Sequence, residues 1–167
     1  MSDVTIVLDA NRAAIDDFIA TAERATPVWE TPLAPGKWSP CQITEHVART
    51  LEEGAHLVAG DTSVFPTLPS VLRPLVRGMF FNRVLKKDAF PNARTLKALN
   101  PPDGPSPSEA RGRLEGALAS FQDACRAQAA GGQPVDHPVF GRVSVEDYAK
   151  FMELHTEHHR LQLPTAT

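Results

Sequence analysis

The stretch Leu154-His155-Thr156-Glu157-His158-His159-Arg160-Leu161-Gln162, close to the end of this 167-residue chain, decides how the rest is read. Advancing about 100° per residue, Tyr148, Met152, His155, His159 and Gln162 fall within a sector of roughly 80°, with Phe151 beside them. Glu146, Lys150, Glu153, Glu157 and Arg160 gather on the opposite side. A segment that separates charge from apolar surface in this way is an amphipathic helix with its charged side in water. His155 and His159 then face the interior one turn apart, with Cβ atoms about 6 Å from each other. An unpartnered buried polar group costs about 1–3 kcal/mol, so two inward imidazoles must be bridged, hydrogen-bonded or metallated. His158, on the flank of the same face, is an alternative to His159.

Further helices are legible upstream. Ser144 caps the last one, with Asp147 three residues on. The strongest start signal is Ser39-Pro40-Cys41-Gln42: a capping serine, a proline at the first helical position and a glutamine completing a capping box. That helix runs to about 56–60 on Ile43, Val47, Leu51 and Val58. A first helix over about 4–26 carries Leu8, Ile15, Phe18, Ile19 and Ala22 at three- and four-residue spacing. Ser106-Pro107-Ser108-Glu109 opens another, with Leu114, Leu118 and Phe121, which Gly131-Gly132 ends near Ala130. Between Pro69 and Lys87 a shorter helix is expected on Leu72, Leu75, Val76, Met79, Phe80 and Leu85. Residues 88–107, with Pro91, Pro101, Pro102, Pro105 and Pro107, read as a long proline-rich connector. A loop through His137-Pro138-Val139-Phe140-Gly141 precedes the last helix. No strand run is convincing, so the chain reads as all-α and, at this length, as one domain over 1–167.

Composition excludes several classes of protein. Hydrophobic residues are 42% and charged residues 22%, ordinary globular values. A formal net charge of −3 offers no electrostatic case for nucleic acid. The N-terminus carries Asp3 and Asp9 and lacks a basic stretch before an apolar core. The apolar stretch Val71–Leu85 holds Arg73, Arg77 and Arg83 and is too short and too charged to span a bilayer. The expectation is therefore a cytoplasmic protein with no membrane partner. Cys41 and Cys125 form no CxxC and read as reduced thiols. Val71–Leu85 is also the expected place for a homodimer contact, against the simpler reading of packing over the core. The basic residues Arg73, Arg77, Arg83, Lys86 and Lys87 read as a solvated face.

His46 lies three residues after Ile43, on or near the apolar stripe of its helix. A neighbouring helix could bring it against His155 and His159, and three neutral imidazoles suit zinc, nickel or iron. The alternative is an ordinary hydrogen-bonded core histidine. His137 and His56 are weaker ligand candidates. Trp29 and Trp38 flank the turn before the Ser39 helix and are expected to anchor it.

Two segments resemble the DinB/YfiT-like superfamily of four-helix metal-binding proteins. Gly36-Lys37-Trp38-Ser39-Pro40-Cys41-Gln42-Ile43-Thr44-Glu45-His46-Val47 is similar to its tryptophan-serine entry with a histidine seven residues after the serine. His137-Pro138-Val139-Phe140-Gly141, followed by His155-Thr156-Glu157-His158-His159-Arg160-Leu161-Gln162, is similar to its H-x-x-H-H-R-x-Q ending. Leu161 stands where the family often has glycine. The resemblance implies an up-down-down-up type four-helix bundle with an extra short helix and the long proline-rich connector. It implies His46, His155 and His159 as ligands of a divalent transition metal (Zn, Ni or Fe), with Arg160 and Gln162 as the trailing polar pair. Characterised relatives of this kind are mostly transferases or isomerases using low-molecular-weight thiols. The expected function is therefore a metal-dependent thiol S-transferase acting on a small-molecule substrate. The alternatives are a hydrolase using bound hydroxide, with Glu45, Tyr148 or His158 as base, and a non-catalytic stress-associated binding protein.

Overall fold

The computed structural model describes residues 3–92, 95–101 and 103–164; Pro102 of the connector lies outside them. Four long helices form the body: α1 (Asp3–Arg24), α2 (Pro40–Ala59), α5 (Pro107–Ala130) and α6 (Val145–Arg160). Their starts follow from local chemistry. The Ser39 hydroxyl accepts from the Gln42 amide and the Gln42 side chain accepts from the Ser39 backbone N–H, a complete capping box. Ser106 and Glu109 make the same box at α5, and Ser144 accepts from the Asp147 amide at α6. Gly60, at φ 80°, closes α2 in the left-handed conformation that only glycine adopts freely.

Contacts between the helices set their directions. Cys41 Sγ reaches Pro105 O ahead of α5, Arg113 pairs with Glu45 and Glu52, and Gly54 lies against the Phe121 ring, so α2 and α5 run parallel. Gln122 donates to Leu8 O while Arg111 pairs with Glu23, so α1 and α5 are antiparallel. Asn11 donates to Ala149 O and Asp17 faces Arg160, which makes α1 and α6 parallel. The bundle is up-down-down-up, as expected. Phe18, Val47, Leu51, Leu114, Leu118, Phe121 and Ala149 are fully buried at its centre. Each large apolar side chain removed from water there contributes about 1.5–3 kcal/mol.

The middle of the chain departs from the expectation. The short helix is three pieces: α3 (Arg73–Val76), a π-helical turn over Arg77–Phe81, and α4 (Asn82–Lys87). The wider turn changes which residues point inward. Phe81 and Val84 are buried, whereas Leu72, Leu75 and Met79 are 45%, 59% and 67% exposed and Val71 is 80% exposed. The expected loop around His137 is a small antiparallel hairpin, β1 (Val135–His137) with β2 (Gly141–Val143), pairing Val135 with Val143. Strands of three residues carry too little alternation to be seen in sequence. Among the described residues no helix is long and apolar enough to cross a membrane.

Candidate metal centre

Helices α2 and α6 are antiparallel where they meet: Gly54 lies near Met152, and His46 near His155 and His159. The capping box fixes where α2 begins, which sets the angle at which His46 enters the core two turns later. On α6 the four-residue step puts His155 and His159 on the face that α2 covers. The potential ligand nitrogens of His46, His155 and His159 all lie within 4.8 Å of one another. His46 and His159 are buried, and His155 is partly buried.

Each ring is oriented by its surroundings. His46 Nδ1 donates to the Leu99 carbonyl at 3.0 Å, leaving Nε2 with a lone pair 3.3 Å from His155 Nε2. His159 Nδ1 is 2.9 Å from Gln162 Oε1, which can only accept, so its Nε2 is also free. Trp38 lies over two of the clustered histidines, with ring centroids 4.8 Å from His46 and 6.2 Å from His159. Phe90, from the connector, covers His155 at 5.2 Å and His158 at 5.8 Å.

Electrostatics keep the cluster uncharged. Burial lowers His46 to about 4 and His159 to about 3. Burial, reinforced by the neighbouring His159 and His46, pushes His155 well below the ordinary imidazole range. All three are neutral bases at pH 7, the form that binds metal. The residues fit a divalent ion. Two nitrogens each about 2.0–2.1 Å from one metal at a tetrahedral angle are about 3.3 Å apart, the separation of the facing His46 and His155 nitrogens. The three rings would supply such an ion with donors that carry no charge, leaving other coordination positions open.

The other sequence candidates lie elsewhere. Glu45 points away from the histidines, paired with Arg113 and Arg49. Tyr148 is buried beside Phe121 and His137, its hydroxyl pushed up by burial. His137 is buried in the hairpin; its Nδ1 accepts the Val139 and Phe140 amides, so it organises a turn. With Phe80, Phe140 and six other side chains it lines an apolar cavity of about 270 Å³, to which none of the three clustered histidines contributes. His56 is exposed. His159, not His158, stands in the cluster; His158 reaches it indirectly, through Gln162 at 2.9 Å. Burial raises the Cys41 thiol against the opposing hydrogen bond with the Gly104 backbone, and lifts Cys125 to about 12. Sequence reasoning missed Leu99 and Phe90, because no periodicity or motif links the connector to the histidines. It placed Trp38 as a loop anchor without its contact with two of them.

A four-helix bundle with a buried, uncharged three-histidine cluster fits the class of metal-binding helical proteins. Residues 7–163 match the DinB superfamily, and the chain belongs to it. No curated protein and no solved structure matches the chain.

Proposed function

We propose that this chain is a metal-dependent enzyme of the thiol S-transferase kind. His46, His155 and His159 hold one divalent ion, zinc, nickel or iron, and a low-molecular-weight thiol is transferred to an electrophilic small molecule. The observation that carries this reading is the convergence of three uncharged imidazoles within 4.8 Å. A neutral ligand set leaves the full 2+ charge in place, and that charge, when the ion is bound, lowers the pKa of a thiol or water enough to supply a nucleophile near neutral pH.

The chain's own residues orient and enclose. Leu99 O and Gln162 turn His46 and His159 so that their free nitrogens converge. Trp38 and Phe90 cover the rings and exclude water from their faces. The thiol comes from outside, because Cys41 and Cys125 are buried and both are raised away from the thiolate form. Hydrolysis is less well supported, since it needs a base: Glu45 is committed to Arg113 and Arg49, Tyr148 packs with His137, and His158 Nε2 is taken up by the Gln162 amide. The reading includes a single domain working in the cytoplasm, where both cysteines stay reduced.

The test is to load the metal-free protein with cobalt(II) and add cysteine or glutathione. The expected result is a change in the cobalt absorption that saturates with thiol and is lost in His155→Ala/His159→Ala. A spectrum indifferent to both thiols, with thiol-independent ester hydrolysis whose rate has a limb near neutral pH, would replace this reading with a hydrolase. A metal that raises the melting temperature and does nothing else would leave a binding protein.

A further inference from the structure

A chain of hydrogen bonds leads out of the cluster through Gln162. The amide oxygen of Gln162 is 2.9 Å from His159 Nδ1, and its amide nitrogen is 2.9 Å from His158 Nε2. The His158 ring in turn hydrogen-bonds the backbone of Phe90. The direction of this chain is set at its far end. A backbone partner that favours the protonated ring is an accepting carbonyl, and His158 Nε2 already faces the Gln162 amide nitrogen, so the proton donated to Phe90 sits on Nδ1 and Nε2 keeps a lone pair. That lone pair requires the NH₂ of Gln162, which turns the amide oxygen toward His159. The oxygen requires a proton on His159 Nδ1, and Nε2 is left free. Rotating the amide by 180° would reverse every step and place a proton on His159 Nε2, which would have to leave before that nitrogen could take a metal.

We infer that Gln162 is a positioning residue for the three-histidine cluster and that His158 acts through it. Gln162 holds His159 in the tautomer that frees Nε2, and His158 holds the Gln162 amide in the orientation that does so. The inference rests on the metal-binding reading for its consequence, while the tautomer itself is a property of the metal-free chain. It gives the paired histidines of the C-terminal motif different tasks: His159 belongs to the cluster, and His158, one residue earlier, orients it. A partner that fixes a ligand's tautomer in this way is worth about 10–100-fold in metal affinity.

The experiment has two readouts. Nitrogen-15 NMR of the metal-free protein reports the tautomer of His159, and competition with a chelator gives cobalt(II) affinity. Gln162→Met should mix the His159 tautomers and weaken cobalt binding by about 10–100-fold. Gln162→Glu should restore both, because a carboxylate accepts from Nδ1 whichever way it is turned. His158→Phe should weaken binding with Gln162 present and have no effect in the Gln162→Glu background, a non-additivity that loss of packing alone would not produce. Should Gln162→Met fail to fold, the pair Gln162→Glu and His158→Phe still decides. An unchanged tautomer in Gln162→Met, or an equal His158→Phe effect in both backgrounds, would overturn the inference. A wild-type chain that takes up no cobalt would defeat the metal reading alone, and the nitrogen spectra would still judge the relay.

Discussion

His46 and His155 face each other across antiparallel helices with their Nε2 atoms 3.3 Å apart. Since His46 carries its proton on Nδ1 and donates it in a hydrogen bond to Leu99 O, the proton between the two rings belongs to His155 in the metal-free protein. An ion held by these rings would take that proton's place, and His155 is the histidine whose tautomer would have to change.

Metal content is the first expected outcome. Protein purified without a histidine tag should carry close to one equivalent of a divalent ion by mass spectrometry, lost in both His46→Ala and His155→Ala/His159→Ala. Stripping the ion should lower the melting temperature, because a ligand at about 100 times its Kd stabilises the folded state by about 2.7 kcal/mol. A metal-free chain that also refuses added zinc, nickel and iron would end the metal-centre reading.

Acid should unfold the stripped protein early. His46, His159 and His137 are lowered by burial to about 4, 3 and 3, so below pH 6.5 the unfolded chain binds protons that the folded one does not. Their contribution is fully present above pH 6.5 and is lost as pH falls toward the folded values. Each such histidine removes about 1.4 kcal/mol of stability per pH unit in that window. Urea midpoints between pH 7 and 5 check the slope, and a flat profile would contradict the burial of these rings.

Trp38 should report on the site. Its ring lies 4.8 Å from His46, and the chain's other tryptophan, Trp29, donates instead to Pro105 O. Cobalt(II) or nickel(II) should quench tryptophan fluorescence in the wild type and in Trp29→Phe, and leave Trp38→Phe unaffected. Equal quenching of both variants would place the ion elsewhere.

Gly104→Ala should destabilise the fold by about 1–3 kcal/mol, the usual cost of forcing an extra carbon into a packed contact. A Cβ there would collide with the backbone carbonyl and Sγ of Cys41 in the first turn of α2. Cys41 is about one and a half turns ahead of His46, so cobalt affinity should fall together with the denaturant midpoint. Wild-type stability in this variant would show that the connector does not press on α2.

The helix starts were readable because capping is local: Ser39 with Gln42 and Ser106 with Glu109 satisfy each other, and Ser144 accepts from the Asp147 amide, each over three residues. The pairing of His155 with His159 was readable for the same reason, since 3.6 residues per turn fixes which side chains share a face. The Arg77–Phe81 turn was not, because its wider winding breaks the period from which burial is inferred, leaving Leu72, Leu75 and Met79 outside and Phe81 and Val84 inside.

By itself the sequence determined an all-α chain, the positions of its caps, the inward face of α6 and, through two motifs, a candidate set of His46, His155 and His159. Tertiary structure decided what stands behind those rings. His46 and Leu99 are 53 residues apart, and no periodicity connects a histidine to the carbonyl of an irregular connector. Only the rotation of α6 about its own axis, settled by packing against α1 and α2, separates His159 in the cluster from His158 outside it. Which nitrogen of each ring is free follows from partners that meet only when the chain is folded, because a tautomer is chosen by the acceptor it finds.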